Sequence, residues 1–363
     1  MNSFLYHLKR FDWTLIISAI LLFGLGMLSL YSSSYGEKDF LNFQKQILFF
    51  LIALLFMFLF SFFDWRTFRE DPYLILSFYF ISCLALLGLF WFAPMIRGIK
   101  SWYKLGPFSL DPAELIKIVL IILLAKYFSM RHVEMYRIFH ILLSGFYVFI
   151  PAVLIFFQPD LGSTLILIAL WIGILIISGI EIRHFLILIL CFLLIFLFGW
   201  NNVLKDYQKV RIMTFLLPQS EPLGAGWNQA QAKIAIGSGG IWGKGFSMGS
   251  QTQYGFLPEP QTDFIFAAIA EEFGLVGISI VLLLFSILIW RIIKIAINSQ
   301  SNFPRLFASG FAIILISQVF INIGMNIGIL PVIGIPLPLL SYGGSNLIAT
   351  FIAIGILQNI KTH

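Results

Sequence analysis

Residues 264–291 read FIFAAIAEEFGLVGISIVLLLFSILIWR, and only Glu271, Glu272 and Arg291 in that run are charged. A helix needs about 20 predominantly apolar residues to cross a bilayer, so this run is long enough to span. It has company. Similar apolar runs lie at about 12–32, 44–62, 73–93, 113–129, 138–157, 162–180, 185–199, 306–328 and 342–359. Together they predict an all-α polytopic membrane protein with about ten transmembrane helices. The interval 200–263 holds no spanning run and is rich in Gly, Gln and aromatic residues. It reads as one large loop between helices 7 and 8, within a single transmembrane domain covering 1–363. A loop of that length in a compact membrane protein is usually functional.

Composition agrees. Apolar residues make up 60% of the chain and charged residues 11%, against about 25% charged in soluble domains. A soluble protein this apolar would have no surface to present to water. The nine Trp, twelve Tyr and forty Phe suit a lipid-facing wall with interfacial rings. Cys83 and Cys191 both lie in apolar runs and read as packing residues rather than a disulfide. The five His form no cluster, so no zinc site is legible. The basic pI of about 9.2 is read as charge asymmetry across a membrane; no nucleic-acid partner is expected. The first apolar run is full length, and no cleavable signal peptide is evident.

Orientation follows from lysine and arginine. With both termini cytoplasmic, short inner segments hold Lys9, Arg10, Arg66, Arg69, Lys126, Arg131, Arg137, Arg183, Arg291, Lys294, Arg305 and Lys361. Short outer segments hold Lys38, Lys45, Arg97, Lys100 and Lys104. Twelve against five places the termini in the cytoplasm and the 200–263 loop outside.

Ionisable residues within the bilayer are costly and usually pair or line a cavity. Glu114, Lys117, Glu271 and Glu272 are such residues, while Asp160 and Asp263 sit at outer helix edges. Glu114 and Lys117 are three apart, so they share a helix face and can pair. Thr262 is a candidate N-cap for the eighth span, with Asp263 in its first turn. An acid there complements the helix dipole, and it can equally be a carboxylate held rigidly at the outer face. Glu272 would lie about 180° around the helix from Asp263, so one of the two glutamates is expected to be structural.

Residues Gly237 to Gly245 look like a phosphate cradle but match neither a Walker loop nor a dinucleotide fingerprint. Their backbone N–H groups could bind an anion, or the glycines could serve tight packing of a re-entrant loop. The Gly324-Met-Asn-Ile-Gly328 pattern suggests close helix packing. Pro331, Pro336 and Pro338 then break the chain before Ser341-Tyr-Gly-Gly-Ser345. Broken backbone at membrane depth is tolerated only beside protein or a watery cavity, so the outer ends of spans eight to ten are expected to surround one. No internal repeat is visible.

These stretches resemble the SEDS family (shape, elongation, division and sporulation), its RodA branch most closely. The resemblance is carried by Gln158-Pro-Asp-Leu-Gly162; Tyr207-Gln208 with Arg211-Ile212; Pro222-Leu-Gly224, Gln231 and Ala235 to Gly240; and Gly243-Lys-Gly245. It continues in Leu257-Pro-Glu259, Thr262-Asp-Phe-Ile-Phe266, Glu271-Glu272-x-Gly274-x-x-Gly277, Asn322-Ile-Gly-Met325, Gly328-x-Leu-Pro331, Pro336-Leu-Pro338 and Ser341-Tyr-Gly-Gly-Ser345. It spans essentially the whole chain. Departures are Asp111-Pro-Ala-Glu114 where the family has Gln-Pro-Ser-Glu, Ser101-Trp102 where it has Arg-Trp, and Glu221 for the acid of Asp-Pro-Leu-Gly.

The resemblance implies a peptidoglycan glycosyltransferase in the bacterial inner membrane that polymerises lipid II during cell elongation and shape maintenance. It implies Asp263 as the leading catalytic residue, and a class B penicillin-binding protein and other elongation-complex membrane proteins as partners. A divalent cation, Mg or Mn, is an implied helper for the pyrophosphate, with Asp263 as its candidate ligand; no organic cofactor is expected. The chemistry is compatible with the residues. Glycosyl transfer needs a base for the acceptor hydroxyl and positive charge near the leaving pyrophosphate. Asp263 is the candidate base, with Glu114 and Lys117 joining it as catalytic candidates. Asp160, Gln208, Arg211, Lys244, Ser341 and Tyr342 are the substrate-binding candidates. The alternatives are a lipid II flippase and a non-catalytic scaffold for a penicillin-binding protein.

Overall fold

The structure is a computed structural model, and it describes residues 9–95, 101–106, 108–130, 138–202, 209–210, 213–215, 217 and 224–362. Each of the ten apolar runs forms a helix. In chain order the helices are α1 (Trp13–Glu37), α2 (Leu41–Phe62), the short α3 (Trp65–Glu70), α4 (Pro72–Phe92), α5 (Pro112–Ser129), α6 (Ile138–Phe157) and α7 (Leu161–Ile177). They continue as α8 (Ile182–Asn202), α9 (Ala225–Gly239), the one-turn α10 (Ser250–Gln253), α11 (Ile265–Asn298), α12 (Asn302–Ile327) and α13 (Gly344–Thr362). Among the described residues, seven helices are long and apolar enough to cross a membrane: α1, α2, α4, α6, α8, α11 and α12. Of the remaining predicted spans, α7 is a shorter apolar helix, α5 carries Glu114, Lys117 and Lys126, and α13 carries Asn346, Gln358 and Asn359. The one sheet among the described residues is a hairpin of β1 (Tyr103–Leu105) and β2 (Phe108–Leu110), with Lys104 opposite Ser109.

Five helix starts are written locally. Asp12, Asp64, Asp71, Asp111 and Asp160 each accept a hydrogen bond from a backbone N–H one to two residues inside the helix that follows, satisfying donors a helix leaves unpaired at its N-terminus. Pro72 and Pro112 occupy the first helical position, where the missing N–H costs nothing. Inside the bundle α5, α12 and α7 pack on one another, while α13 lies along α2. Cys83 is buried; Cys191 is exposed on α8 and so is not the packing residue its apolar context suggested.

Two further sequence expectations change in the bundle. α11 is not one continuous helix: Gly274 has φ 63° and ψ −158°, which splits it in two. The groups freed by that break are taken by the glycine-rich loop. Lys244 N donates to Glu271 O (2.9 Å), Gly245 N to Glu272 O (3.1 Å), Leu275 N to Gly240 O (2.9 Å) and Val276 N to Ile241 O (3.2 Å). A Cβ on Gly274 would overlap Gly243 N, and one on Gly243 would overlap Glu272 O. Residues 240–245 therefore plug the break, and the Lys244 and Gly245 N–H groups that an anion cradle would need are engaged. The Gly324/Gly328 pattern also differs from expectation. Gly328 is the left-handed C-cap of α12 (φ 85°), and Gly324 faces the side chain of Leu330. The pair terminates α12 and folds the following segment back on it, and Gly328 also leaves room for the Lys233 side chain of α9.

Candidate active site

The segment 330–346, running from beyond α12 into the first turn of α13, is the hub. Ser341 Oγ donates to Thr262 O (2.6 Å) and accepts from Leu337 N (2.8 Å); Tyr342 N donates to Gln261 O (2.8 Å). Gln46 of α2 steadies the same turn by donating to Ser341 O and accepting from Gly343 N. On the other side, the amides of Asn322 and Asn326 both donate to Asp263 O at 3.0 Å, and Asn322 also donates to Ile335 O at 2.7 Å.

These contacts explain where α11 begins. The carbonyls of Thr262 and Asp263 are claimed by side chains from elsewhere, so the helix starts at Ile265 with Phe264 as its cap residue and no side-chain cap. Thr262 is therefore not the N-cap, and Asp263 stands just before the helix rather than in its first turn. Asp263 is half-buried. Its Oδ2 lies 3.4 Å from where a Cβ on Gly334 would sit, so the carboxylate faces the broken backbone of the hub.

Four and five residues beyond Ser341 the hub meets α5. Ser345 Oγ accepts from Asp111 N (2.8 Å), and Asn346 Nδ2 donates to Glu114 Oε2 (3.0 Å). The other oxygen of Glu114 receives Lys117 Nζ at 2.8 Å, with the two side chains 9% and 3% exposed. Asp160 caps α7 through Ser163 N. Two positions after Asp160, Gly162 packs against Ile333 and Ile335 of the hub. Gln158 is buried and donates to Leu86 O.

Asp111, which departs from the family pattern, joins this group. Its carboxyl is pushed up to about 8, because burial disfavours the charge and Glu114 and Asp160 add like charge; Lys117 and the Ala113 N–H pull the other way. The folded-state value thus lies above the unfolded value of about 3.9. Between those values the folded protein holds the extra proton, so stability falls as pH rises from about 4 to 8. Asp111→Asn keeps the cap and removes the titration. Its melting temperature relative to wild type should rise steadily from pH 5 to pH 8, by the equivalent of up to about 1 kcal/mol per pH unit. A wild-type-to-variant difference independent of pH would show that Asp111 titrates normally.

The structure thus gathers Asp263, Glu114, Lys117, Asp160, Ser341 and Tyr342 around one segment. Lys244 is elsewhere, held 2.8 Å from Glu271 Oε1. Glu271 is fully buried and also accepts from Gln251 N, Thr252 N and Thr252 Oγ1. Glu272 accepts from Ser32 of α1 and from Gln253. Both glutamates therefore bind protein, where the sequence assigned that role to only one. Gln208 and Arg211 lie outside the described residues. Asn322, Asn326 and Asn346, which sequence reasoning did not single out as site residues, hold the site's backbone and acid; amides within apolar runs were the available signal.

The model of the FtsW/RodA/SpoVE cell cycle protein family matches residues 12–363. The chain belongs to this family. Among relatives, the peptidoglycan glycosyltransferase MrdB of Escherichia coli K12 is 42% identical over 295 residues, covering 80% of this chain and 78% of its own. Stage V sporulation protein E of Bacillus subtilis is 35% identical over 366 residues, covering 97% of both. The peptidoglycan glycosyltransferase RodA of Treponema pallidum is 30% identical, covering 97% of this chain and 98% of its own. The fold is also that of solved family members. A chain from a peptidoglycan synthase complex that coordinates polymerization and crosslinking superposes with a TM-score of 0.83 at 31% identity, covering 97% of both chains. The rod shape determining protein RodA of Thermus thermophilus gives 0.72 at 28% identity, covering 97% of this chain and 96% of its own.

Proposed function

We propose that this chain polymerises lipid II, with Asp263 taking the proton of the acceptor hydroxyl. The setting is a multi-pass membrane peptidoglycan glycosyltransferase of the elongation branch, like its MrdB and RodA relatives. The observation that carries the reading is the convergence of the half-buried Asp263 carboxylate and the buried Glu114–Lys117 pair on one broken segment. The acceptor oxygen forms a bond to the donor's anomeric carbon as the bond to pyrophosphate breaks. The hydroxyl proton goes to Asp263, and polyprenyl pyrophosphate leaves. An α-linked donor and a β-linked product require one inversion. Lys117 supplies positive charge close to the leaving group, where a fixed cation is worth more than in water.

Among the described residues no three His, Cys, Asp or Glu are grouped to hold a metal. A Mg-type ion needs only one or two carboxylates when substrate phosphates and water complete its shell. Asp263 fits that role, and the ion would neutralise pyrophosphate charge.

All ten helices are taken to cross the membrane with both termini cytoplasmic, on the twelve-to-five basic count. On this reading Ser250→Cys labels with an impermeant thiol reagent in intact cells; labelling only after lysis would reverse the orientation. A class B penicillin-binding protein is the proposed partner, on the likeness to the synthase-complex chain, alongside other elongation-complex proteins. The decisive test is conversion of lipid II to glycan polymer by purified protein, with and without that partner. No polymer in either condition would leave the flippase and scaffold readings.

A further inference from the structure

The end of α11 remote from Asp263 carries a second concave surface, which the polymerase chemistry does not use. The last turns of α11, the start of α12, the end of α13, α3 and Asp12 enclose a cavity of about 530 Å³. Its cations are Arg66, Arg69, Arg291, Lys294 and Lys361, and its one acid is Asp12. Trp65, Ile295, Pro304 and Ile360 add an apolar floor.

The cations are held in place. Asp12 is 2% exposed, with Arg291 Nη2 at 2.5 Å and Lys361 Nζ at 3.3 Å from its Oδ2. Burial alone would raise the Asp12 carboxyl, but Arg291, the Leu15 N–H and Lys361 bring it below its ordinary value, so it stays ionised and fixes both cations. Arg291 and Lys294 lie over the Trp290 ring at 5.7 and 5.2 Å, and Arg66 over Trp65 at 5.8 Å. Arg66 also meets Asp64 at 3.8 Å, in an exposed pair. Asp12 and Asp64 together offset two of the five positive charges, which leaves a cationic hollow.

We propose that this hollow binds the phosphate headgroup of an anionic glycerophospholipid. Arginine forks match phosphate oxygens, and basic pockets between helix ends at a membrane face are suited to anionic headgroups. A lipid rather than a free anion is indicated by three features: the apolar floor, a volume well beyond a single phosphate, and exposed Trp290 beside it at the level where aromatic rings sit in the interface.

The test titrates detergent-purified protein with phosphatidylglycerol, phosphatidylcholine or inorganic phosphate and counts bound lipid by native mass spectrometry. Each surface cation removed should weaken binding about fivefold. The double variant R69Q/K294Q, both exposed positions, should therefore bind phosphatidylglycerol about 25-fold more weakly. Lys104→Gln, an exposed cation on the hairpin, should change nothing. Wild-type protein supplies a second reading that needs no variant: raising salt tenfold should weaken phosphatidylglycerol binding several-fold while leaving phosphatidylcholine unchanged. Four results would overturn the proposal. They are equal binding of the two lipids, equal phosphatidylglycerol binding by wild type and double variant, displacement of lipid by equimolar inorganic phosphate, and tighter capture of a polyglutamate peptide than of lipid.

Discussion

Asp263→Asn should reduce lipid II polymerisation by about 100-fold or more, the usual scale for losing acid–base catalysis, while the melting temperature holds. The structure separates these two readouts. The backbone carbonyl of this position is held by the amides of Asn322 and Asn326, and Asn preserves that carbonyl. The helix cap is Phe264, so no capping contribution is lost. Lipid II binding should change little, because the missing interaction acts in the transition state. Normal polymer from a normally folded variant would remove Asp263 from the chemistry. A loss of activity accompanied by an equal loss of stability would assign it a structural role.

Lys117→Met alone should destabilise the protein by about 3–5 kcal/mol, because it leaves Glu114 buried with only an amide partner. Asn346 reaches one carboxylate oxygen, and Lys117 is the cation within 2.8 Å of the other. The double variant Glu114→Gln with Lys117→Met removes both charges and keeps the shape. It should recover most of that stability, since a buried ion pair is rarely better than a neutral replacement. If the pair serves catalysis, the folded double variant still polymerises lipid II about 100-fold more slowly. Full activity in a stable double variant would make the pair a helix clamp and nothing more.

The helices were legible because their signals are local. Apolar length marked all ten, and Asp71-Pro72 and Asp111-Pro112 carry the cap-then-proline pattern of a helix start. The site was legible only as a list of parts. Thr262 and Asp263 have the composition of a helix start, yet Ser341 and two asparagines some 60 to 80 positions away hold the carbonyls there, and α11 begins later. The same distance problem hid Lys244. Its loop carries glycines, a lysine and no nearby acid, which reads as an anion site until Glu271 arrives from α11. The Gly274 break was invisible to hydropathy, because a left-handed glycine has the same side chain as a helical one. The convergence of Asp160, Asp111 and Glu114 depends on α5, α7 and the hub meeting, which no window along the chain contains.

The plug at Gly274 bears on how the protein is made. If α11 entered the bilayer with residues 240–245 undocked, the carbonyls of Glu271 and Glu272 and the N–H groups of Leu275 and Val276 would face hydrocarbon. Each such group costs several kcal/mol there. The chain emerges with the loop before the helix, so the partner segment already exists when α11 is synthesised. Release of this span into lipid and docking of the loop are therefore a single event in biogenesis. A bulkier residue at Gly243, whose Cβ would overlap the Glu272 carbonyl, would block docking and leave both sides of the break unpaired in lipid.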